Sequence, residues 1–489
     1  MTVSKAKTFR NIIYASFTKG ITLFCWGVTG LVVARNLTPS DYGVVGFVNI
    51  IILFVGRFSD MGVGSAAIRR PQLGPNSLQT AFTLKIILSI LAVVLAWSIA
   101  PFARHFLNHP ATGNLVRIGA LSFLATMVGF VPNAVLTREM KYRTLVIPGI
   151  ASATAQCAIA VTLILLGWSY WAVIIANVGA TLAGGVATRL AKRVPMRFGF
   201  DWPEAQEYLR FGLPLFGSAL LYFVIFNLDN FLVGTTMGSA QLGYYALAFT
   251  WGSFICWLLQ DTVNTVLMPT LAAIQHDPAA LRRWYLKTID LVALIAVIVN
   301  SELLVNTHYF LVTFLGKGSN KWVPAETALK ILCVYGMLRA VIDAVGPCLM
   351  ARGETKMLLR ASLLVGVVEI SLLLLALRSG RIEMVAAAVL VAYACAGVVF
   401  LSFLRRELSI GLPDIVSQIW PVGPALVMGV MVTSLLPASL GNTMIGLAGR
   451  GLITGVVVAL SHGLFTRFRC FHEASRMIWP NLARIRMSC

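Results

Sequence analysis

The chain has 489 residues, 58% of them hydrophobic and only 12% charged, with a mean hydropathy of +0.82. A soluble domain is roughly 45–50% apolar and 25% charged, so this composition excludes a water-soluble fold and calls for a bilayer, which takes about 20 apolar residues per helical crossing. The formal net charge of +20 invites a nucleic-acid reading, but no basic patch is interleaved with aromatic residues, and nucleic acid is set aside as a partner.

On that length scale about fourteen spans follow one another. The first group lies near 11–34, 43–60, 79–103, 115–136, 145–166 and 169–190. The opening run is too long for a signal h-region and lacks a small-residue cleavage site, so it is expected to stay as a span. A second group lies near 208–234, 241–266, 286–312, 327–350, 358–377 and 383–404, and a final pair near 415–436 and 443–466.

The two groups are copies. Leu31 to Phe47 returns about two hundred residues later as Phe231 to Leu247, in register, with Gly43 falling on Gly243 and Arg10 on Arg210. Each unit reads as a helical hairpin with a tight polar tip. An even number of spans separates the copies, so both cross in the same direction, and the expected architecture is all-α: two six-helix lobes related by a pseudo-two-fold along the membrane normal, plus two C-terminal helices. The implied divisions are 1–200, 201–410, and 411–489 for the extra helices and a tail. Gly451 and Gly455 in the last span form a Gly-x-x-x-Gly that points to helix packing ahead of dimerisation.

Basic residues cluster on one side of this arrangement. Arg138, Lys141 and Arg143 share one inner segment and Arg189, Lys192 and Arg193 another, whereas the outer turns keep only Arg35, Arg104, Lys317, Lys321, Arg378 and Arg381. This positive-inside bias places both termini in the cytoplasm and reads the charge as topology and contact with membrane lipids.

Catalytic and metal motifs do not stand out. The eight cysteines form no Cys-x-x-Cys and read as reduced small hydrophobes. His105 and His109, in an outer turn, read as a solvated pair ahead of a metal site. The longest inner connections, near 191–207 and 267–285, are too small for a catalytic domain, so no enzyme is expected.

Three blocks carry a resemblance: Arg35-Asn-Leu-Thr-Pro-Ser-Asp-Tyr-Gly43, Asp60-Met-Gly-Val-Gly-Ser-Ala-Ala-Ile-Arg-Arg70, and Phe211-Gly-Leu-Pro-Leu-Phe-Gly-Ser218 running into Asn227-Leu-Asp-Asn230. The chain resembles the bacterial polysaccharide exporters, the O-antigen and exopolysaccharide flippases of the multidrug/oligosaccharidyl-lipid/polysaccharide superfamily, from about residue 8 to about 405. The resemblance implies two lobes that alternate between inward-open and outward-open forms. It implies an undecaprenyl-diphosphate-linked oligosaccharide as substrate, carried to the periplasmic leaflet of the bacterial inner membrane, and other polysaccharide assembly proteins as partners.

Charges inside spans are costly and are therefore the candidate site. In the first lobe they are Lys19, Arg57 and Lys85, with Asp60 beside Arg57; a desolvated basic site suits a diphosphate. The competing reading has Lys19 and Lys85 snorkel to headgroups while Arg57 pairs with Asp60. The second lobe is acidic: Asp229, Asp261, Asp290, Glu302, Asp343 and Glu369, with Arg339 its main base and a further substrate-binding candidate. Arg339 and Asp343 are spaced to pair on one helix face. Asp229 and Asp343 are the candidates for a coupling proton or Na⁺, and no other cofactor is expected. A lipid II flippase and a drug or cation antiporter of the same superfamily stay open, with a membrane enzyme of glycan assembly behind them.

Overall fold

The computed structural model describes residues 5–69, 74–107, 109–139, 141–274, 277–351 and 355–466. The side chains of Tyr14 and Asp261 and the tail after residue 466 lie outside what is described. Among the described residues every regular element is helical.

Helices α1 (Lys5–Asn36) and α2 (Pro39–Asp60) are joined by the first tight turn of the repeat. That turn follows from its residues. The Thr38 side chain accepts the Asp41 N–H at 3.1 Å and Pro39 opens the helix without needing a donor. In the second copy, α9 (Trp202–Met237) and α10 (Ser239–Ala273) are joined through Gly238 alone, whose φ of 85° favours glycine. Both tips are as tight as the repeat predicts.

Helix α2 stops where Met61 and Gly62 turn left-handed, φ 38° and 74°, and lead into α3 (Val63–Arg69). Then come α4 (Pro75–Leu107), α5 (Thr112–Gly119), α6 (Leu121–Arg138), α7 (Tyr142–Leu165) and α8 (Ser169–Ala191). Beyond α10 lie α11 (Pro278–Val305), the short α12 (Thr307–Tyr309), a π-helical turn and a 3₁₀ turn, then α13 (Glu326–Asp343) and α14 (Val345–Ala351). The chain continues through α15 (Thr355–Leu377), α16 (Ile382–Leu408), α17 (Leu412–Ile419), α18 (Val422–Leu435) and α19 (Met444–Phe465).

Among the described residues, twelve helical spans are long and apolar enough to cross a membrane, which makes this a multi-pass membrane protein. Helices α1 and α13 complete the expected series but fall outside that count. Glu326, Lys330, Arg339 and Asp343 dilute the apolar character of α13, and the chain breaks at Ala344, so the uninterrupted span expected at 327–350 is two helices. The spans expected at 115–136 and 415–436 likewise break, at Ala120 and at Trp420 and Pro421.

The chain forms two compact units, Met1–Gly243 and Tyr244–Cys489. Helix α9 lies in the first. Its Tyr208 hydroxyl is 2.8 Å from the Ser77 hydroxyl, and Tyr208 and Ala205 join Val63, Ala66, Leu84 and Ala134 in a buried cluster. A seam of rings follows between α2 and α9: Phe58 with Phe216, Phe54 with Phe223, and Phe47 stacked on Phe231. In the second unit, Tyr285 and Ile289 of α11 pack with Phe403 and Leu404 of α16, and Ala293 and Val297 pack with Ala425 of α18 and Val458 of α19. Gly451 and Gly455 face Glu302 and Ile298 of α11, so this glycine pair packs helices within the chain.

Candidate functional site

The last turn of α2 opens onto a cavity of about 1050 Å³ in the first unit, walled by α2, α3, α4, α6, α7, α8 and α9. Small residues make the enclosure possible. A Cβ on Gly129 would lie 2.8 Å from the Gly185 Cα, so α6 and α8 touch backbone to backbone. A Cβ on Gly62 would lie 2.7 Å from the Gly212 Cα, which closes the α2–α3 turn onto α9.

Arg57, Asp60 and Lys85 are the charged groups on the wall. Arg57 and Asp60 are exposed there and form no ion pair with each other, although one turn apart. Lys85 is 4% exposed and directed inward: its Nζ donates to the Ser59 carbonyl at 2.9 Å and to the Ser59 hydroxyl at 3.0 Å. That hydroxyl is 3.1 Å from the Ser89 hydroxyl, and the Phe130 ring centroid is 5.8 Å from Nζ. The ammonium thus sits at the carbonyl end of α2, where the helix dipole favours a cation. Ser65, Ser122, Thr126, Asn133, Thr181 and Thr188 supply neutral polar groups around the cavity. A planar guanidinium among hydroxyls and an amide matches a phosphate next to sugar hydroxyls.

In α9, Asp229 is 2% exposed and its Oδ1 accepts a hydrogen bond from Asn230 at 3.1 Å. Two charge networks of the second unit involve buried groups. Around α13, Arg339 Nε donates to Asp343 Oδ2 at 3.1 Å and a second guanidinium nitrogen to the Tyr335 hydroxyl at 3.1 Å. The Tyr393 hydroxyl donates to Asp343 Oδ1 at 2.7 Å, and the Cys256 thiol reaches Oδ2 at 3.7 Å. Between α11 and α19, Asp290 is 3.1 Å from His462, which is fully buried. Farther along α11, Glu302 and Asn306 hydrogen-bond to each other, and Asn306 accepts from Arg450 at 3.0 Å. Arg450 also donates to the Pro437 and Thr433 carbonyls, at 3.0 and 3.1 Å.

Polysaccharide biosynthesis proteins, as a sequence family, match residues 32–326, well over half the chain. The chain belongs to that family. It is 24% identical to the lipopolysaccharide biosynthesis protein WzxC of Escherichia coli (strain K12), over 66% of this chain and 65% of that one. It is 25% identical to the teichuronic acid biosynthesis protein TuaB of Bacillus subtilis (strain 168), over 60% and 61%. The match thus spans somewhat less than two thirds of each relative. A solved structure of the lipid II flippase MurJ, in an inward closed conformation, shares the fold with a TM-score of 0.75 at 12% identity, covering 94% of this chain and 99% of that one.

In this polysaccharide biosynthesis protein the cavity brings together Arg57 and Lys85 of the predicted basic set. Lys19, half-buried on α1, is not on its wall. Of the second-lobe candidates, Arg339 and Asp343 bind each other and Asp229 is buried in α9. Sequence reasoning missed Arg450 and His462 of the final helix, which bond Asn306, the partner of Glu302, and Asp290. An arginine inside a span is signal enough, but 415–466 reads from the sequence only as an appended pair. The hydroxyls and Asn133 were invisible, since neutral polar residues in apolar helices carry no mark of which ones converge.

Proposed function

We propose that this chain is a flippase that moves undecaprenyl-diphosphate-linked oligosaccharide repeat units from the cytoplasmic to the periplasmic leaflet of the bacterial inner membrane by alternating access, for O-antigen, capsule or exopolysaccharide synthesis. The supporting observation is the cavity itself: an arginine without an acidic partner, among hydroxyls and an amide, inside a membrane-spanning bundle. Arg57 contacts the diphosphate. Lys85 adds positive potential and holds the turn that presents Arg57. Lys19 and Arg339 are further basic contacts as the substrate passes. Both termini are cytoplasmic, which puts the Arg57 end of α2 on the side where the substrate is made. Asp229 and Asp343 take the coupling proton or Na⁺, as carboxylates inside a bundle commonly do.

Depleting the protein tests this reading. Undecaprenyl-linked oligosaccharides then accumulate in the cytoplasmic leaflet. Drug sensitivity without that accumulation, or accumulation of lipid II instead, overturns it.

A further inference from the structure

His105 and His109 belong to a second cavity, of about 600 Å³, at the junction of α4 and α5 in the first unit. Its wall carries Arg104, His105, His109, Asn114 and Arg117, and none of its described lining residues is acidic. The junction is held shut by close packing: a Cβ on Gly113 would lie 2.8 Å from the Ala100 carbonyl oxygen, and Trp97 donates to the Arg117 carbonyl at 3.2 Å. One Arg117 nitrogen donates to Asn114 Oδ1 at 3.2 Å, which leaves most of its fork available. His109 Nδ1 is buried without a hydrogen-bond partner, its ring edge-on to Tyr170. A buried ring nitrogen left unpaired costs free energy that a ligand oxygen would recover.

We propose that this cavity is an anion site for a phosphate or phosphodiester group. Two guanidinium groups and two imidazoles around one cavity, with no carboxylate among the described lining residues, are donors of the type that bind phosphate oxygens. Charge asymmetry assigns this end of α4 to the periplasmic side, where basic residues are otherwise sparse, so their concentration here is not explained by topology. The phosphate has two sources on that side: the headgroup of an anionic membrane lipid, or the diphosphate of a lipid-linked sugar after translocation. The site does not depend on the flippase reading, because the same chemistry serves either.

Purified full-length protein in a phosphate-free maltoside detergent separates the sources. One arm titrates inorganic pyrophosphate by calorimetry; the other counts retained phosphatidylglycerol by native mass spectrometry. The variants are Arg104→Gln/Arg117→Gln and Asn114→Asp, the latter adding a carboxylate beside Arg117, with Arg57→Gln as the control for the larger cavity. Both Arg104 and Arg117 are exposed, and gel filtration and the melting temperature establish that the variants fold. The expected result is at least a tenfold loss in one or both arms for both variants, read on the binding that remains once Arg57→Gln has removed the larger cavity's share. Loss confined to pyrophosphate identifies a diphosphate headgroup, and loss confined to phosphatidylglycerol identifies a membrane lipid. The proposal is overturned if wild type binds neither probe, if both variants bind both as wild type does, or if Arg57→Gln alone abolishes the binding.

Discussion

Gly43 and Gly243, equivalent positions in the two copies of the repeated hairpin, lie against each other backbone to backbone. A Cβ on Gly43 would overlap the Ser239 carbonyl oxygen, and one on Gly243 would overlap the Pro39 carbonyl oxygen, so the approach is reciprocal. Ser40 and Ser239, 199 residues apart, join hydroxyls at 2.7 Å beside them. Phe47 stacks on Phe231 on the same side, ring centroids 5.7 Å apart.

The contact has no room for a side chain. Gly43→Val is expected to destabilise the protein by at least about 1–3 kcal/mol, the usual range for overpacking, measured as a lower melting temperature of the purified chain. Gly217→Ala, at a site with nothing within 4 Å of the added carbon, should leave it unchanged. Equal effects at the two positions would refute the backbone contact.

Arg57 and Lys85 share a cavity but separate in behaviour. Arg57 has no acidic partner to lose, so Arg57→Gln should leave protein level and melting temperature unchanged. It removes one charge-assisted pair to the diphosphate, about 1.5–3 kcal/mol, or on the order of tenfold to a hundredfold in substrate affinity; Arg57→Lys restores part of that. Lys85→Glu would place a carboxylate against the Ser59 carbonyl, and the protein should fail to accumulate in the membrane.

The Arg339–Asp343 pair is suited to a double-mutant cycle. Asp343→Asn removes the carboxylate charge that the buried Arg339 Nε donates to and should cost up to about 3–5 kcal/mol. Replacing both residues with leucine should recover much of that, because the desolvation of both charges disappears together. If the double variant is as unstable as the sum of the singles, the pair is not what holds this part of α13.

Arg450 ties α19 to α11 and to the C-terminal end of α18. Arg450→Leu orphans Asn306 Oδ1, worth about 1–3 kcal/mol when buried and unpaired, and takes the arginine's donors from the Pro437 and Thr433 carbonyls, which keep the Leu440 and Leu436 N–H groups. Hydrogen exchange should rise first in α18 and α19 while α2 to α9 keep wild-type protection. A uniform rise across the chain would contradict this local role.

Much of this arrangement could be read in the sequence, for physical reasons that also mark where the reading stopped. Apolar length fixes helices in a bilayer, so nearly every span had its counterpart, and the Thr38-Pro39-Ser40-Asp41 block announced a capped helix start. Breaks at Ala344 and Trp420 were not visible, because an apolar run scores the same whether its helix is continuous or interrupted. Arg57 and Lys85 were legible because charge is conspicuous in lipid. Their different fates were not: Lys85 reaches Ser59 across the α2–α4 contact, and a partner of that kind is set by packing, not by sequence spacing. Gly62 and Gly212 stand in the blocks that carry the family resemblance, yet only their contact explains why both positions lack a side chain.

The central claim is tested most directly by translocation in a defined membrane. Purified protein is reconstituted into vesicles carrying an undecaprenyl-diphosphate-linked oligosaccharide, and the fraction reaching the opposite leaflet is followed with a membrane-impermeant, sugar-modifying reagent. Wild type should transfer the lipid, Arg57→Gln should be slower by about tenfold or more, and Gly217→Ala should match wild type. Translocation no faster than in protein-free vesicles, or an Arg57→Gln rate equal to wild type, would contradict the account.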